Sequence, residues 1–226
     1  MARADSDHRA TVRALLDAEG RTYAEEAGIR LKDTPQPLYQ VFVLAHLLSA
    51  RIRADIAVAA ARALFDAGMR DARHMRDATW QQRVDALGEG GYRRYDERTS
   101  TQLGDAADLL LDTYGGDLRR LREKAGGDAD RLRSLLREAP GIGPAGADIF
   151  LREVQGAWPE FAPHFDDKTL KGAKRLGLPA DPEALAGLVR KEDLPALAAA
   201  LVRAALDGHV ADDVRKTADE TQGGSG

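Results

Sequence analysis

Cysteine is missing from all 226 residues. Its absence excludes disulfides, thiolate catalysis, cysteine-ligated zinc and iron–sulfur clusters. Long apolar runs are missing too. No stretch approaches the roughly 20 residues that a membrane span needs, and the amino terminus has no apolar leader core, so a cytoplasmic chain is expected. An excess of positive charge is also lacking: 33 Lys and Arg stand against 37 Asp and Glu, a formal net charge of −4. A nucleic-acid partner would therefore have to be met by local features, because phosphate neutralisation usually supplies most of the affinity. Arginines do concentrate between Arg119 and Arg137 and at Arg93, Arg94 and Arg98. From charge alone these read as solvated helix faces paired with neighbouring Asp and Glu.

What is present is helical periodicity, with no convincing alternation of strand type. Val12, Leu15 and Leu16 mark a first helix. Pro37 opens an apolar helix from about Leu38 to Ala50, and Asp55–Phe65 forms another, ended by Gly68. Short helices are predicted over Ala72–Arg76 and Trp80–Leu87, and a long one from about Tyr95 to Tyr114, stopped by Gly115 and Gly116. Leu118–Lys124 and Ala129–Arg137 follow, then a helix carrying Ala147, Phe150, Leu151 and Val154 on one stripe. Lys168–Leu176, Glu183–Lys191 behind an Asp181-Pro182 cap, and a last helix from Leu194 complete the pattern. The tail from about Lys216, ending Gly-Gly-Ser-Gly, is expected to be disordered.

The most informative stretch joins two of these helices: Leu135-Leu136-Arg137-Glu138-Ala139-Pro140-Gly141-Ile142-Gly143-Pro144-Ala145. Glycines permit a tight turn closed to other residues, Ile142 can point inward as a peg, and the flanking amides can face outward. With the following helix start, such N–H groups form a neutral phosphate site that needs little positive charge. The plainer reading is a helix–turn–helix connection with capping glycines.

This hairpin resembles the Leu-Pro-Gly-Val-Gly motif of the endonuclease III-type (HhH-GPD) DNA glycosylases. Other stretches match that superfamily in order. Leu47-Leu48-Ser49-Ala50-Arg51 is similar to its Leu-Leu-Ser-Ala-Gln segment, and Gly90-Gly91-Tyr92 to its Gly-Leu-Tyr loop. His164-Phe165-Asp166-Asp167 leads to Arg175-Leu176-Gly177-Leu178, which looks like the ending that follows the family's aspartate. The resemblance runs from about Leu38 to Leu178. It implies an all-α fold of two helical domains flanking a DNA-binding cleft. Residues 38–157 would form a six-helix barrel that contains the helix-hairpin-helix at about 128–156. Residues 1–37 with 158–215 would form the second domain, and 216–226 the tail. It also implies a base flipped out of lesion-bearing double-stranded DNA, and a monomer.

By the same resemblance Asp166 is the catalytic carboxylate, stabilising the oxocarbenium character that develops on the sugar. The count back from Arg175 selects Asp166, whereas the spacing to Leu170 selects Asp167; either can also cap the helix that follows. Gly141, Ile142, Gly143 and Ala145 would hold DNA. A Na+ or K+ ion on the backbone carbonyls of Arg137, Ala139 and Ile142 is a further implication. Three departures shape the expected chemistry. Ala145 stands where the strand-cleaving members carry a lysine, so no Schiff base forms by that route, and nothing matches Lys168 or Lys171 to that role. The four-cysteine cluster loop is missing. The intercalating leucine falls at Gly91, which leaves Tyr92 or Arg51 to fill the gap left by a flipped base; Arg51 can equally be a surface cation.

Three other features invite attention. His46 reads as a core histidine, and Trp80 and Trp158 as core fillers. His8, His74, His164 and His209 have no metal-ligand spacing. The expectation is a monofunctional DNA glycosylase of base excision repair, nucleoid-associated if bacterial. A catalytically silent module that binds damaged or bent DNA is the alternative, and a lyase using another amine a weaker third.

Overall fold

Proline and glycine punctuate a chain that is otherwise helical, and the computed structural model, which describes residues 2–223, contains no strand among them. Helix α1 spans Ala2–Glu19 and is followed by the one-turn α2 (Tyr23–Glu26). Then come α3 (Pro35–Leu48), α4 (Ala54–Asp66), α5 (Ala72–Asp77), α6 (Trp80–Glu89) and α7 (Asp96–Tyr114). The hairpin region holds α8 (Leu118–Ala125), α9 (Ala129–Leu136) and α10 (Pro144–Val154). The last helices are α11 (Asp167–Arg175), α12 (Pro182–Ala186), α13 (Leu194–Leu206) and α14 (Gly208–Gly223). These fall into two compact units, residues 23–157 and residues 1–22 with 158–226.

In the first unit α3 is the central element. Leu38, Tyr39, Val41, Phe42, Val43, Leu44, Ala45 and Leu47 are all buried, as expected of a helix that is apolar on every side. Helices α4 and α10 pack on it, α4 also meets α6, and α5 and α6 pack on α7. Local chemistry sets the ends: Thr79 and Gln82 form a reciprocal capping box at α6, and the carboxylates of Asp117 and Asp128 cap α8 and α9. Buried Arg83 donates to the carbonyls of Met75, Ala78 and Ser100, tying α5, α6 and α7 together. Residues 23–37 belong to this unit and not with the amino-terminal helix as expected. The reason is the buried Glu153 carboxylate on α10, which accepts the amides of Tyr23 (3.4 Å) and Ala24 (2.9 Å).

The second unit packs α11 on α13, and α13 and α14 on α1. Its core includes Val12, Leu15, Phe165, Leu185, Leu197, Leu201 and Val214. A β-carbon on Gly172 would lie 1.9 Å from the Leu201 carbonyl oxygen, so α11 and α13 approach as closely as their backbones allow. Two expectations are corrected here. The predicted helix over Glu183–Lys191 stops at Ala186, where Gly187 turns the chain, and a short 3-10 turn occupies Lys191–Asp193. The tail expected from Lys216 continues α14, which is seated by Ala211, Val214 and Ala218; residues 224–226 lie outside the described residues.

Candidate nucleic-acid interface

The hairpin is built from α9 and α10, and Arg133 of α9 pairs with Asp148 of α10 at 2.9 Å, holding the two helices together. Between them the Ile142 amide donates to the Ala139 carbonyl at 3.1 Å, closing a tight turn. Gly141 sits within it at φ +85°, a backbone region that favours glycine. Ile142 is the inward peg, 6% exposed, with Gly146 of α10 behind it. Gly143 caps α10 and Pro144 occupies its first turn, where a missing N–H costs nothing. The amides of Gly141, Gly143 and Ala145 donate no hydrogen bond among the described residues. Three undirected donors at one turn, the last at the start of an eleven-residue helix, form an anion-accepting edge.

Beside this turn lies a pocket of about 560 Å³, contained within the first unit. It brings together three motifs far apart in the chain: Ser49, Ala50 and Arg51 after α3, Tyr92 of the glycine loop, and Gly141, Ile142 and Gly143. One face of α7, with Arg98, Thr99 and Gln102, and the capping Tyr95 before it supply another wall, and His46 of α3 completes it. Arg51 is exposed on the bend before α4. Neither Arg51 nor Arg98 has an ion-pair partner among the described residues, and no carboxylate lines the pocket. Three arginines of the Arg119–Arg137 segment behave differently: Arg119 pairs with Asp117 and Arg122 with Asp33, both at 2.7 Å, and Arg133 with Asp148. The expectation of paired arginines therefore holds for those three and fails for Arg98, which is solvated but unpaired.

His46 is both a buried histidine and a pocket wall. It is 3% exposed, and its Nε2 faces Gln102 Oε1 at 3.4 Å. Its Nδ1 is buried with no hydrogen-bond partner. Burial pushes its pKa down to about 4, the Gln102 contact opposes that shift, and the Arg98 charge adds to it, so the ring is neutral near pH 7. Tyr92 requires a correction. Its ring is 1% exposed and its hydroxyl meets Thr99 Oγ1 at 3.3 Å, so it lines the pocket floor and cannot stand in for an intercalating leucine. Trp80 is also corrected: at 41% exposure it is no core filler, and its Nε1 donates to Thr101 Oγ1. Trp158 is fully buried, as expected.

In the second unit Asp166 caps α11, with one carboxylate oxygen accepting the Thr169 amide at 3.0 Å. Thr169 returns a hydrogen bond from its hydroxyl to the Asp166 carbonyl at 2.6 Å. Asp167 and Lys168 are exposed in the first turn of α11, and Lys171 is exposed beyond it. The cap distinguishes the two aspartates, because only Asp166 has its carboxylate fixed by the helix start. No group of His, Cys, Asp and Glu able to hold a metal ion occurs among the described residues. Residues of α7 were the least visible in sequence, though Tyr95, Arg98, Thr99 and Gln102 recur at intervals of three and four on one face.

No family model and no curated protein sequence matches the chain. Solved structures do. A non-covalent endonuclease III–DNA complex matches with a TM-score of 0.53 at 18% identity, over 88% of this chain and 84% of that one. A trapped endonuclease III–DNA covalent intermediate, in its estranged-adenine complex, has a TM-score of 0.47 at 19% identity, over 86% and 84%. The all-α fold of this chain is thus that of endonuclease III, in a sequence without a single cysteine to hold an iron–sulfur cluster.

Proposed function

We propose that the chain is a monofunctional DNA glycosylase, which hydrolyses the N-glycosidic bond of a damaged or modified base and leaves an abasic site without cutting the strand. The observation that carries this reading is the turn of Gly141, Gly143 and Ala145, whose free amides suit a DNA phosphate. The solved structure whose fold it shares is of endonuclease III held on DNA, which supports taking that edge as a DNA contact. A neutral grip also suits a chain of net charge −4.

In the proposed reaction the bond from the sugar C1′ to the base nitrogen breaks as the sugar gains oxocarbenium character. The fixed carboxylate of Asp166 stabilises that charge. Water then bonds to C1′, and its proton passes on balance to the departing base. Exposed Arg51 fills the vacated stack. Ala145 offers no amine, so no Schiff base forms at the hairpin and no β-elimination follows. The carbonyls of Arg137 and Ile142 accept no hydrogen bond among the described residues, and that of Ala139 accepts one. These three oxygens would be the ligands of a monovalent cation, which when bound would add positive charge beside the phosphate-binding turn.

The test is base release from duplexes bearing uracil, mismatched thymine, alkylated, oxidised or deaminated bases, with and without alkali. Strand breaks that appear only after alkali are expected for at least one lesion. A chain that leaves all of them intact under both conditions contradicts the reading. One observation favours a second reading, of a module that binds damaged DNA without chemistry: the Asp166 carboxylate already serves as a helix cap. Tight lesion binding without release, unaltered in Asp166→Asn, is its signature.

A further inference from the structure

A second concavity, of about 500 Å³, opens at the far end of α3, within the first unit. Its volume falls within the roughly 300–1,000 Å³ usual for small-molecule sites. It joins the start of α3 to the end of α4 and to the loops that precede and follow them. Gln36 lines it in the first turn of α3. His46, in the wall beside the hairpin, stands in the last turn of the same helix, about 15 Å farther along at roughly 1.5 Å per residue. The two sites are separate.

Three guanidinium groups meet at this concavity: Arg30 from the loop before α3, Arg62 from α4 and Arg70 from the loop after it. Arg30 and Arg62 make no hydrogen bond or ion pair among the described residues. Asp66, the one carboxylate in the wall, pairs with none of the three. Elsewhere Arg53, Arg119, Arg122 and Arg190 each meet a carboxylate, and a chain with 37 acids against 33 bases has carboxylates to spare. Gathering three like charges around one cleft focuses a positive field there, which an anion relieves. Arg70 is already aimed: its Nε donates to the Phe65 carbonyl at 2.7 Å, which leaves both Nη groups for a bidentate contact. The carbonyls at the end of α4 do not compete for the other arginines, because those of Ala63, Leu64 and Phe65 accept the amides of Ala67, Met69 and Gly68. Thr34 gives α3 no side-chain cap, so the positive end of that helix adds to the field.

We infer that this pocket binds a phosphorylated small molecule of nucleotide size, its phosphate groups held by Arg30, Arg62 and Arg70. The volume exceeds what a lone phosphate fills. The remaining wall suits a part that carries hydroxyls and ring nitrogens: Asp66 can accept from hydroxyls, and the side-chain amides of Gln36 and Gln40, one turn apart on α3, both donate and accept. This site goes beyond the proposed base release and needs neither DNA nor the hairpin.

The test is an amide NMR titration of the full chain with adenosine, pyrophosphate and ADP in magnesium-free buffer. Pyrophosphate and ADP should shift the resonances of Gly28, Arg70 and the Gln40 side chain saturably, with ADP bound in the roughly millimolar range or tighter. ADP should bind at least about threefold more tightly than pyrophosphate, and adenosine should leave the resonances in place. Arg30→Gln, Arg62→Gln and Arg70→Gln should each weaken ADP binding about tenfold or more. Arg131→Gln on exposed α9 removes the same charge and should stay within about twofold of wild type. Arg30 and Arg62 are exposed and bond to nothing in the fold, so their variants decide the matter even if Arg70→Gln is unstable. The inference is overturned by an absence of saturable shifts, by shifts confined to Gly141, Gly143 and Ala145, or by equal weakening in Arg131→Gln. Pyrophosphate bound as tightly as ADP overturns the nucleotide-sized assignment. Any of these failures leaves the glycosylase reading standing, and a failed base-release screen leaves this one.

Discussion

A β-carbon on Gly141 would stand 2.3 Å from both Cε1 and Nε2 of His46, so the hairpin turn and the histidine of α3 fit together only because residue 141 has no side chain. Gly141 also has φ +85°. Gly141→Ala therefore combines backbone strain with a clash against a buried ring, and should cost about 2–4 kcal/mol in urea denaturation. The steric share should return in the double variant with His46→Ala, giving a coupling of about 1 kcal/mol or more. Strictly additive losses would mean that the two residues do not meet.

His46 also links stability to pH. Burial lowers its pKa from 6.5 to about 4 in the folded chain, so between those values the unfolded state binds more protons than the folded one. Stability should rise with pH through this window and fall as pH drops from 6.5 toward 4. The contribution at the acid end is roughly 3 kcal/mol. Urea denaturation across the window should give a steeper pH dependence for the wild type than for His46→Gln, in which the other acid-titrating groups are unchanged. Matching slopes would show that the imidazole is not buried in its neutral form.

Asp166 allows folding and chemistry to be separated. Asparagine caps a helix about as well as aspartate, so Asp166→Asn should stay within about 1 kcal/mol of wild-type stability, while Asp166→Ala loses about 1 kcal/mol with the cap to the Thr169 amide. Base release should nonetheless fall about a hundredfold or more in Asp166→Asn, because the neutral amide no longer stabilises the cationic sugar. Asp167→Asn should retain release. The opposite pattern would transfer the catalytic role to the exposed neighbour.

The sequence predicts the helices well where a residue type has one physical job. Gly115 takes the left-handed conformation that ends α7, and Asp181-Pro182 starts α12. Helix α14 was hidden because its buried face rests on Ala211, Val214 and Ala218, side chains too small to stand out in a polar segment. The hairpin was legible for the same reason that it works: its glycines and peg are adjacent in sequence. The pocket behind it was not. Helix α3 is apolar all round, so periodicity cannot say which way His46 faces, and its partner Gln102 lies on a separate helix. Burial of Tyr92 and exposure of Trp80 likewise depend on neighbours supplied by α7.

DNA recognition by this chain depends on the free amides of the turn, and amide NMR during titration with duplex DNA measures that contact directly. The resonances of Gly141, Gly143 and Ala145 should shift on binding, with those of Gly126 and Gly127, in the turn ahead of α9, staying in place. Saturable binding that leaves the three hairpin amides unmoved would contradict it.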